Sequence, residues 1–335
     1  MQSRILQNKH SMYVSYQTLF AELKRVLIKY GFTDAKAGAC AEVFASNSLD
    51  GVYSHGLNRF PVFVDYIKEG FINVDAEPSL VKSFGVIEQW NGNLGPGVLN
   101  AKFCMDRAIA LAKQNGMGCV ALKNTNHWMR GGAYGWQAAE ANCIGINFTN
   151  TIGIMPPWGS PLPTIGNNPL IIAVPHKNGH IVLDMAMAQY SYGKLQEHEL
   201  KGAELAFAGG YNEKGELSKD PAAIRKSRRP LPVGMWKGSG LAIMLDLLAS
   251  ILSGGQTTGA ITESGKEKNV SQVYICLDMD LYPNAQQTAD EILAYTKQGA
   301  SGVRYPGEQT LKTREANTIN GIPVDESMWA ALKNL

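Results

Sequence analysis

The chain carries no surplus of either charge: 31 lysines and arginines face 29 aspartates and glutamates, a net charge of +2. The basic cluster that stands out is the short KSRR at 226–229, too small a patch for a nucleic-acid binder. Long hydrophobic runs are missing as well. The longest helical one, GLAIMLDLLASIL at 240–252, is shorter than a bilayer crossing and contains Asp246. Residues 1–12 are polar and basic with no apolar leader core, so a cytoplasmic protein without membrane attachment is expected. The five cysteines (40, 104, 119, 143, 276) are odd in number, lack CxxC spacing and sit in apolar surroundings. They read as reduced, buried thiols, which excludes a disulfide framework and a zinc ribbon. Also absent are GxGxxG, GxxxxGK[ST], a serine nucleophile elbow and a cysteine–histidine protease signature. NGNLGPG at 91–97 has the wrong spacing, and no apolar strand is expected before it.

What is present is a globular composition, 45% hydrophobic and 18% charged over 335 residues, enough for one large domain or two ordinary ones. Residues 1–13 show no periodicity and are expected as an extension, with Met12 a candidate start. Ser15 should cap an amphipathic helix with Tyr16, Leu19, Phe20, Leu23, Val26, Leu27 and Tyr30 on one face, and Gly31 should end it. A second helix is expected at 34–47, and a third carries Phe63, Val64 and Ile67. GCVAL (118–122), IGINF (144–148), LIIAV (170–174) and HIVLDMA (180–186) read as buried strands, the last two joined by an Asn178-Gly179 hairpin turn. Helices are expected at 98–114, 133–141, 239–252, 285–297 and from Asp325, with a charged loop at 201–230. The alternation broken by hairpins predicts an α/β fold with a mixed sheet and flanking helices. Residues 14–75 with 285–335 should form a mainly helical lobe, and 76–284 the α/β core.

The residues that could carry chemistry begin with GVYSHGLNRFP at 51–61. Pro61 suits the first turn of a helix, which makes Asn58 the expected cap and puts His55 just ahead of the helix and Arg59 in its first turn. Arginine grips a carboxylate with two parallel hydrogen bonds, and imidazole can give a proton near neutral pH. The pair suits a 2-oxo acid. His127 and Arg130 in NTNHWMRGG repeat the association. His176 and His180 flank the hairpin turn without a third ligand, so no metal is expected. Asp184 ends a strand and is followed by small residues. Lys237 in MWKGSG lies just ahead of a helix N-terminus, where phosphate is favoured. RYPGE at 304–308 is a turn bearing a carboxylate. A binding module that stacks sugars on Trp90, Trp128, Trp136 and Trp158 is the non-enzyme alternative.

Taken together, YSHGLNRF, NHWMRGGAYGWQAAE, MPPWG, IGNNPL, LDMAMAQYSYGKL, LPVGMWKGSGLAIMLDLLASILSGG and RYPGE resemble the malate/L-lactate dehydrogenase-like oxidoreductases, the non-Rossmann NAD(P)-dependent reductases of 2-oxo acids. The resemblance runs from about Tyr13 to the C-terminus. Where many members have phenylalanine-glycine after the second histidine, this chain has Trp128-Met129-Arg130, as in the branch acting on diketo sugar acids. Ureidoglycolate, malate, lactate and sulfolactate dehydrogenases and cyclic-imine reductases are the alternatives within the family. The resemblance implies His55 as proton donor with Ser54 beside it, Arg59 on the substrate carboxylate and His127 as a second active-site histidine. Arg130 and Asn168 would join the substrate contacts. The strand Ile181, Val182, Leu183, Asp184, Met185, Ala186 and Met187 would bind the cofactor, with Trp236, Lys237, Gly307, Glu308 and Gln309. It implies NAD, with NADH preferred and NADPH as the alternative, and a homodimer whose only other partner is a small acid.

Overall fold

The computed structural model describes residues 11–299 and 302–335, and the chain divides into two compact units. One unit takes the residues up to Asp75 together with Tyr295–Leu335, and the other is Ala76–Ala294.

The first unit opens with strand β1 (Ser11–Val14) and helices α1 (Tyr16–Lys29), α2 (Asp34–Leu49) and α3 (Phe60–Lys68). Ser15 caps α1 as expected: its hydroxyl accepts the Thr18 N–H at 3.0 Å, a donor the first turn would otherwise leave over. Leu19, Leu23, Val26 and Leu27 form the buried stripe of α1. Phe44 of α2 meets Phe60 and Phe63 of α3 with ring centroids 5.0 and 5.2 Å apart, edge-on and tilted, as the ring quadrupoles favour. Two expectations are corrected. The extension over 1–13 is ordered at its end, since residues 11–14 pair antiparallel with 322–325; residues 1–10 lie outside the described residues. Helix α3 starts at Phe60, not after Asn58, because residues 57–59 close a separate 3₁₀ turn and Arg59 becomes the cap.

In chain order the second unit begins with β2 (Ser79–Phe84), β3 (Ile87–Asn91), α4 (Gly97–Asn115), β4 (Met117–Asn126), α5 (Gly131–Glu140) and β5 (Cys143–Thr149). The hairpin β6 (Leu170–Val174) and β7 (Ile181–Met185) follows, then α6 (Tyr192–Leu200), β8 (Gly210–Tyr211), β9 (Leu217–Ser218) and α7 (Pro221–Ser227). Last come α8 (Trp236–Ser253), α9 (Thr258–Glu263), β10 (Lys268–Asp278) and α10 (Ala285–Thr296). The main sheet has seven strands in the order β2-β3-β4-β10-β5-β6-β7. β3 and β4 are parallel, joined through α4, and the other neighbours are antiparallel.

Strand alternation sorts the layers. Cys119, Ala121, Phe148 and Val273 point to α8 and pack on its Ala242, Leu245 and Ala249. Gly118, one residue out of phase, lies against Ala108 and Leu111 of α4. Helix α8 has the length and apolarity of a membrane span, yet it is tied down by a polar anchor. Asp246 accepts from Thr258 N at 3.0 Å and from Asn150 Nδ2 at 2.9 Å. The strand β3 before NGNLGPG was not expected. Its loop closes on β4, with Gly92 N and Leu94 N donating to Lys123 O and Asn124 O, and a Cβ at Gly97 would lie 2.2 Å from Asn126 O. The backbone at the end of β4 therefore closes on the start of α4, and only glycine fits at position 97. The expected loop at 201–230 contains α7 and the β8–β9 pair.

Helix α10 was expected with the helical lobe, but residues up to Ala294 belong to the sheet unit. The reason is polar. Gln286 Nε2 donates to Pro175 O at 3.2 Å, its Oε1 accepts from Lys177 N at 3.2 Å, and Asp290 takes His176 Nε2 at 2.9 Å. The chain then returns to the first unit with α11 (Glu308–Asn320), β11 (Ile322–Asp325) and α12 (Glu326–Asn334). Arg314 of α11 grips Asp50 with two bonds of 2.6 and 3.0 Å, and Asn317 donates to Leu49 O at 2.8 Å. These bonds fix the end of α2, from which the stretch 51–61 departs.

Candidate active site

Ser54, His55, Arg59 and Gly307–Gln309 lie in the first unit, and the other expected site residues lie in the second. In the first, residues 53–55 and 57–59 form two successive 3₁₀ turns. Helix α2 holds them from below. Asn47 Nδ2 donates to His55 O at 3.0 Å, and Ser48 Oγ accepts Leu57 N at 3.0 Å while donating to Phe44 O. Gly56 makes this approach sterically feasible: a Cβ there would sit 2.1 Å from Ser48 Oγ and 2.9 Å from Ser48 N. With its backbone pinned, half-buried His55 places Nδ1 3.0 Å from Ser54 Oγ. Arg59 is the N-cap residue of α3, at the positive end of the helix dipole, and its side chain does not cap the helix.

Gly307 caps α11 with φ +93°, a conformation natural to glycine. Glu308 accepts Lys297 and Lys312 at 3.0 and 3.1 Å and Tyr305 N at 3.2 Å. The bonds from Lys297 and then Lys312 hold its carboxyl down to about 2. Gln309 accepts from Arg304 and donates to Thr313. The Glu308 carboxylate is thus committed within its own unit.

In the sheet unit Asp184 stands on the edge strand β7. Its Oδ2 accepts Gly132 N at 3.1 Å, at the N-terminus of α5, and Arg130 Nε at 3.3 Å. A Cβ at Gly132 would lie 2.4 Å from that oxygen, so the glycine admits the carboxylate. Arg130, expected on the substrate, is 5% exposed and turned to Asp184. His127 is half-buried, and its Nδ1 accepts Met129 N at 2.9 Å. Asn168, also expected on the substrate, is fully buried. Its Oδ1 accepts Thr151 N at 3.0 Å and its Nδ2 donates to Ala242 O at 2.8 Å, which makes it a strut between loop and helix.

Of the expected cofactor strand, Ile181–Met185 is β7, and Ala186–Met187 lead out of it. Met187 O accepts Val233 N at 2.7 Å and Gln189 N donates to Leu231 O at 2.7 Å, so this exit lies alongside the approach to α8. That helix begins at Trp236, three residues earlier than expected, which puts Lys237 inside its first turn. Trp236 and Lys237 are exposed, with Nζ 6.0 Å from the indole centroid, and no side chain caps the helix. A cation, an uncapped helix N-terminus and a flat ring suit a dinucleotide's pyrophosphate and base. His176 sits between Asp290 and Gly179 O, and among the described residues no group of three or more His, Cys, Asp or Glu could hold a metal. Trp128 and Trp136 are 2% and 4% exposed, which removes two of the four rings that a sugar-stacking module would need. Sequence reasoning missed Asn47, Ser48, Met129 and Gly132 as supports; the Gly131-Gly132 pair after Arg130 was the available signal.

A mixed sheet without a dinucleotide glycine fingerprint, a histidine–arginine turn and an uncapped cationic helix start together describe a dehydrogenase outside the Rossmann class. The chain belongs to the malate/L-lactate dehydrogenase family, whose model matches residues 14–333. It is similar to the 2,3-diketo-L-gulonate reductase of Mannheimia succiniciproducens, 46% identical over 334 residues that span 97% of this chain and 100% of that protein. The Haemophilus influenzae reductase of the same name is 45% identical over 333 residues, 97% of this chain and 100% of that one. Among solved structures, sulfolactate dehydrogenase from Methanocaldococcus jannaschii matches with TM-score 0.88 and 28% identity, covering 96% of each chain. Malate dehydrogenase from Pyrococcus horikoshii matches with TM-score 0.87 and 26% identity over 98% of this chain and 95% of that one.

Proposed function

We propose that this protein is an NADH-dependent reductase that takes 2,3-diketo-L-gulonate to 3-dehydro-L-gulonate. The observation that carries it is the full-length 46% identity to a reductase of that name, joined to a loop that pins an imidazole and a guanidinium in adjacent turns. Reduced nicotinamide, when bound, supplies the hydride that reaches the C2 carbonyl carbon. Arg59 holds the C1 carboxylate with a two-pronged contact. His55 as imidazolium gives its proton to the carbonyl oxygen and is left neutral, with Ser54 Oγ fixing the ring. His127, in the sheet unit, is the second histidine we assign to this reaction. Asp184, oriented by Arg130 and Gly132 N, offers its second oxygen to a hydroxyl. Lys237 answers the pyrophosphate and Trp236 the flat rings, with Ile181–Met187 of the same unit supplying backbone and small side chains; Gly307–Gln309 are assigned to the cofactor as well. Glu308 acts by shaping the start of α11, since its carboxylate is already bonded.

The same reading makes the enzyme a cytoplasmic homodimer. Its five cysteines are all buried and unbridged, as a reducing compartment would leave them. Met244, Leu247, Leu248 and Ile251 line one exposed face of α8 at helical spacing, and a second copy is the occupant we assign to it. The test is a panel of 2-oxo acids with each reduced cofactor, followed by the loss of nicotinamide absorbance. NADH with 2,3-diketo-L-gulonate should be consumed faster than with pyruvate, oxaloacetate or oxalurate. Equal turnover of any of those would remove the substrate, and a preference for NADPH would remove the cofactor assignment.

A further inference from the structure

Trp128, Met129 and Arg130 are all buried, at 2%, 4% and 5% exposure, although the segment follows His127 directly. Buried side chains can act on a substrate only through other groups. Trp128 meets Tyr134 tilted and Tyr274 edge-on, with centroids 5.7 and 6.0 Å away, and its carbonyl accepts the Tyr134 hydroxyl at 2.7 Å. Arg130 is bonded to Asp184. Between these anchors Met129 adopts φ +65°, a conformation unusual for a residue with a side chain. Held this way, its backbone N–H meets His127 Nδ1 at 2.9 Å.

A backbone N–H can only donate, so Nδ1 must be the bare, accepting nitrogen. In a neutral imidazole the proton is then on Nε2. We propose that Met129 is a positioning residue whose N–H locks His127 as the Nε2–H tautomer, so that His127 gives the substrate oxygen a hydrogen bond but not a proton. Protonating Nδ1 would break the Met129 bond and set two N–H groups against each other. Releasing the Nε2 proton would leave an imidazolate. Proton transfer therefore falls to His55, and the role of the second histidine is polarisation of the carbonyl. The role, though not the tautomer, rests on the reduction proposed above.

The decisive measurement is on the wild-type protein labelled with ¹⁵N-histidine, using long-range proton–nitrogen correlation spectra. The imidazole whose signals vanish in His127→Gln should show an unprotonated Nδ1 and a protonated Nε2. A protonated or averaged Nδ1 overturns the proposal. Met129→Gly, unstrained at positive φ, should keep the pattern, whereas Met129→Val, β-branched and strained there, should mix the tautomers. Identical spectra for both variants would mean that the Met129 N–H is not the lock. In kinetics, His127→Gln retains an outward N–H and should keep the shape of the kcat/KM pH profile, with kcat about tenfold above His127→Ala, the usual worth of one hydrogen bond. Loss of one limb of that profile in both variants would make His127 the proton carrier and overturn the assignment. If no 2-oxo acid is reduced at all, the proposed reaction falls while the spectra still decide the tautomer.

Discussion

At position 59 a guanidinium occupies the one end of a helix where the backbone dipole repels it, half-buried and carried by a turn that α2 pins from below. Recognition of an anion is a use that suits a guanidinium at this place. Arg59→Lys should accordingly raise KM for the oxo acid strongly and leave Kd for NADH unmoved, because an ammonium cannot reproduce the planar fork. Steady-state kinetics with fluorescence titration of NADH separate the two, and unchanged constants would make Arg59 a surface residue. His55→Ala should lower kcat by about 10²–10⁴-fold, the contribution of a positioned general acid. Its circular dichroism should stay at wild type, since the bond to Asn47 uses only the His55 backbone. A variant that keeps its turnover would mean the proton has another source.

Between elements, an ion pair ties β3 to α4, the helix that connects it to its parallel neighbour β4. Glu88 of β3 accepts Arg107 of α4 at 2.6 and 3.2 Å and the Trp90 indole N–H at 2.8 Å. Burial pushes this carboxyl up, but the bonds from Arg107 and Trp90 outweigh it and hold it below its usual value. A lowered carboxyl stabilises the fold above its unfolded pKa of about 4.3, and the gain is lost as pH falls through the folded value. Glu88→Gln lacks that term, so its deficit in urea unfolding free energy should be largest at neutrality and shrink on acidification. A deficit independent of pH would show that the charge of Glu88 contributes nothing. The same element shows what a sequence can and cannot disclose. Leu170–Val174 was readable as a strand because its residues are apolar and β-branched between turn signals. Ser79–Phe84 and Ile87–Asn91 were not, because an edge strand and a strand holding a buried ion pair break the apolar run. Likewise His55 and Arg59 could be named from residue type. The settings of Arg130, Asn168 and Glu308, which the sequence placed on ligands, depend on partners 54, 17 and 11 positions away along the chain.

For the molecule as a whole, the exposed apolar face of α8 is the feature that a solitary chain leaves unexplained. If a second copy covers it, charging two of its positions together, Leu247→Glu with Ile251→Glu, should halve the mass seen by light scattering. Both side chains are exposed, so helix content should survive. A wild-type protein that is already monomeric at micromolar concentration would remove the homodimer.

β10 occupies the centre of the main sheet, paired with β4 from Lys268 to Leu277 on one side and with β5 from Gln272 to Asp278 on the other. Yet it comes from residues 268–278, more than a hundred positions after its partners. On the ribosome, therefore, β4 and β5 emerge early and wait. Until the late strand appears, each presents an open row of amides and carbonyls that a neighbouring nascent chain can pair with just as well. The closure is long in sequence and slow for that reason. Slowing synthesis just before residue 268 should push the product toward aggregates, and speeding it there should raise the soluble yield.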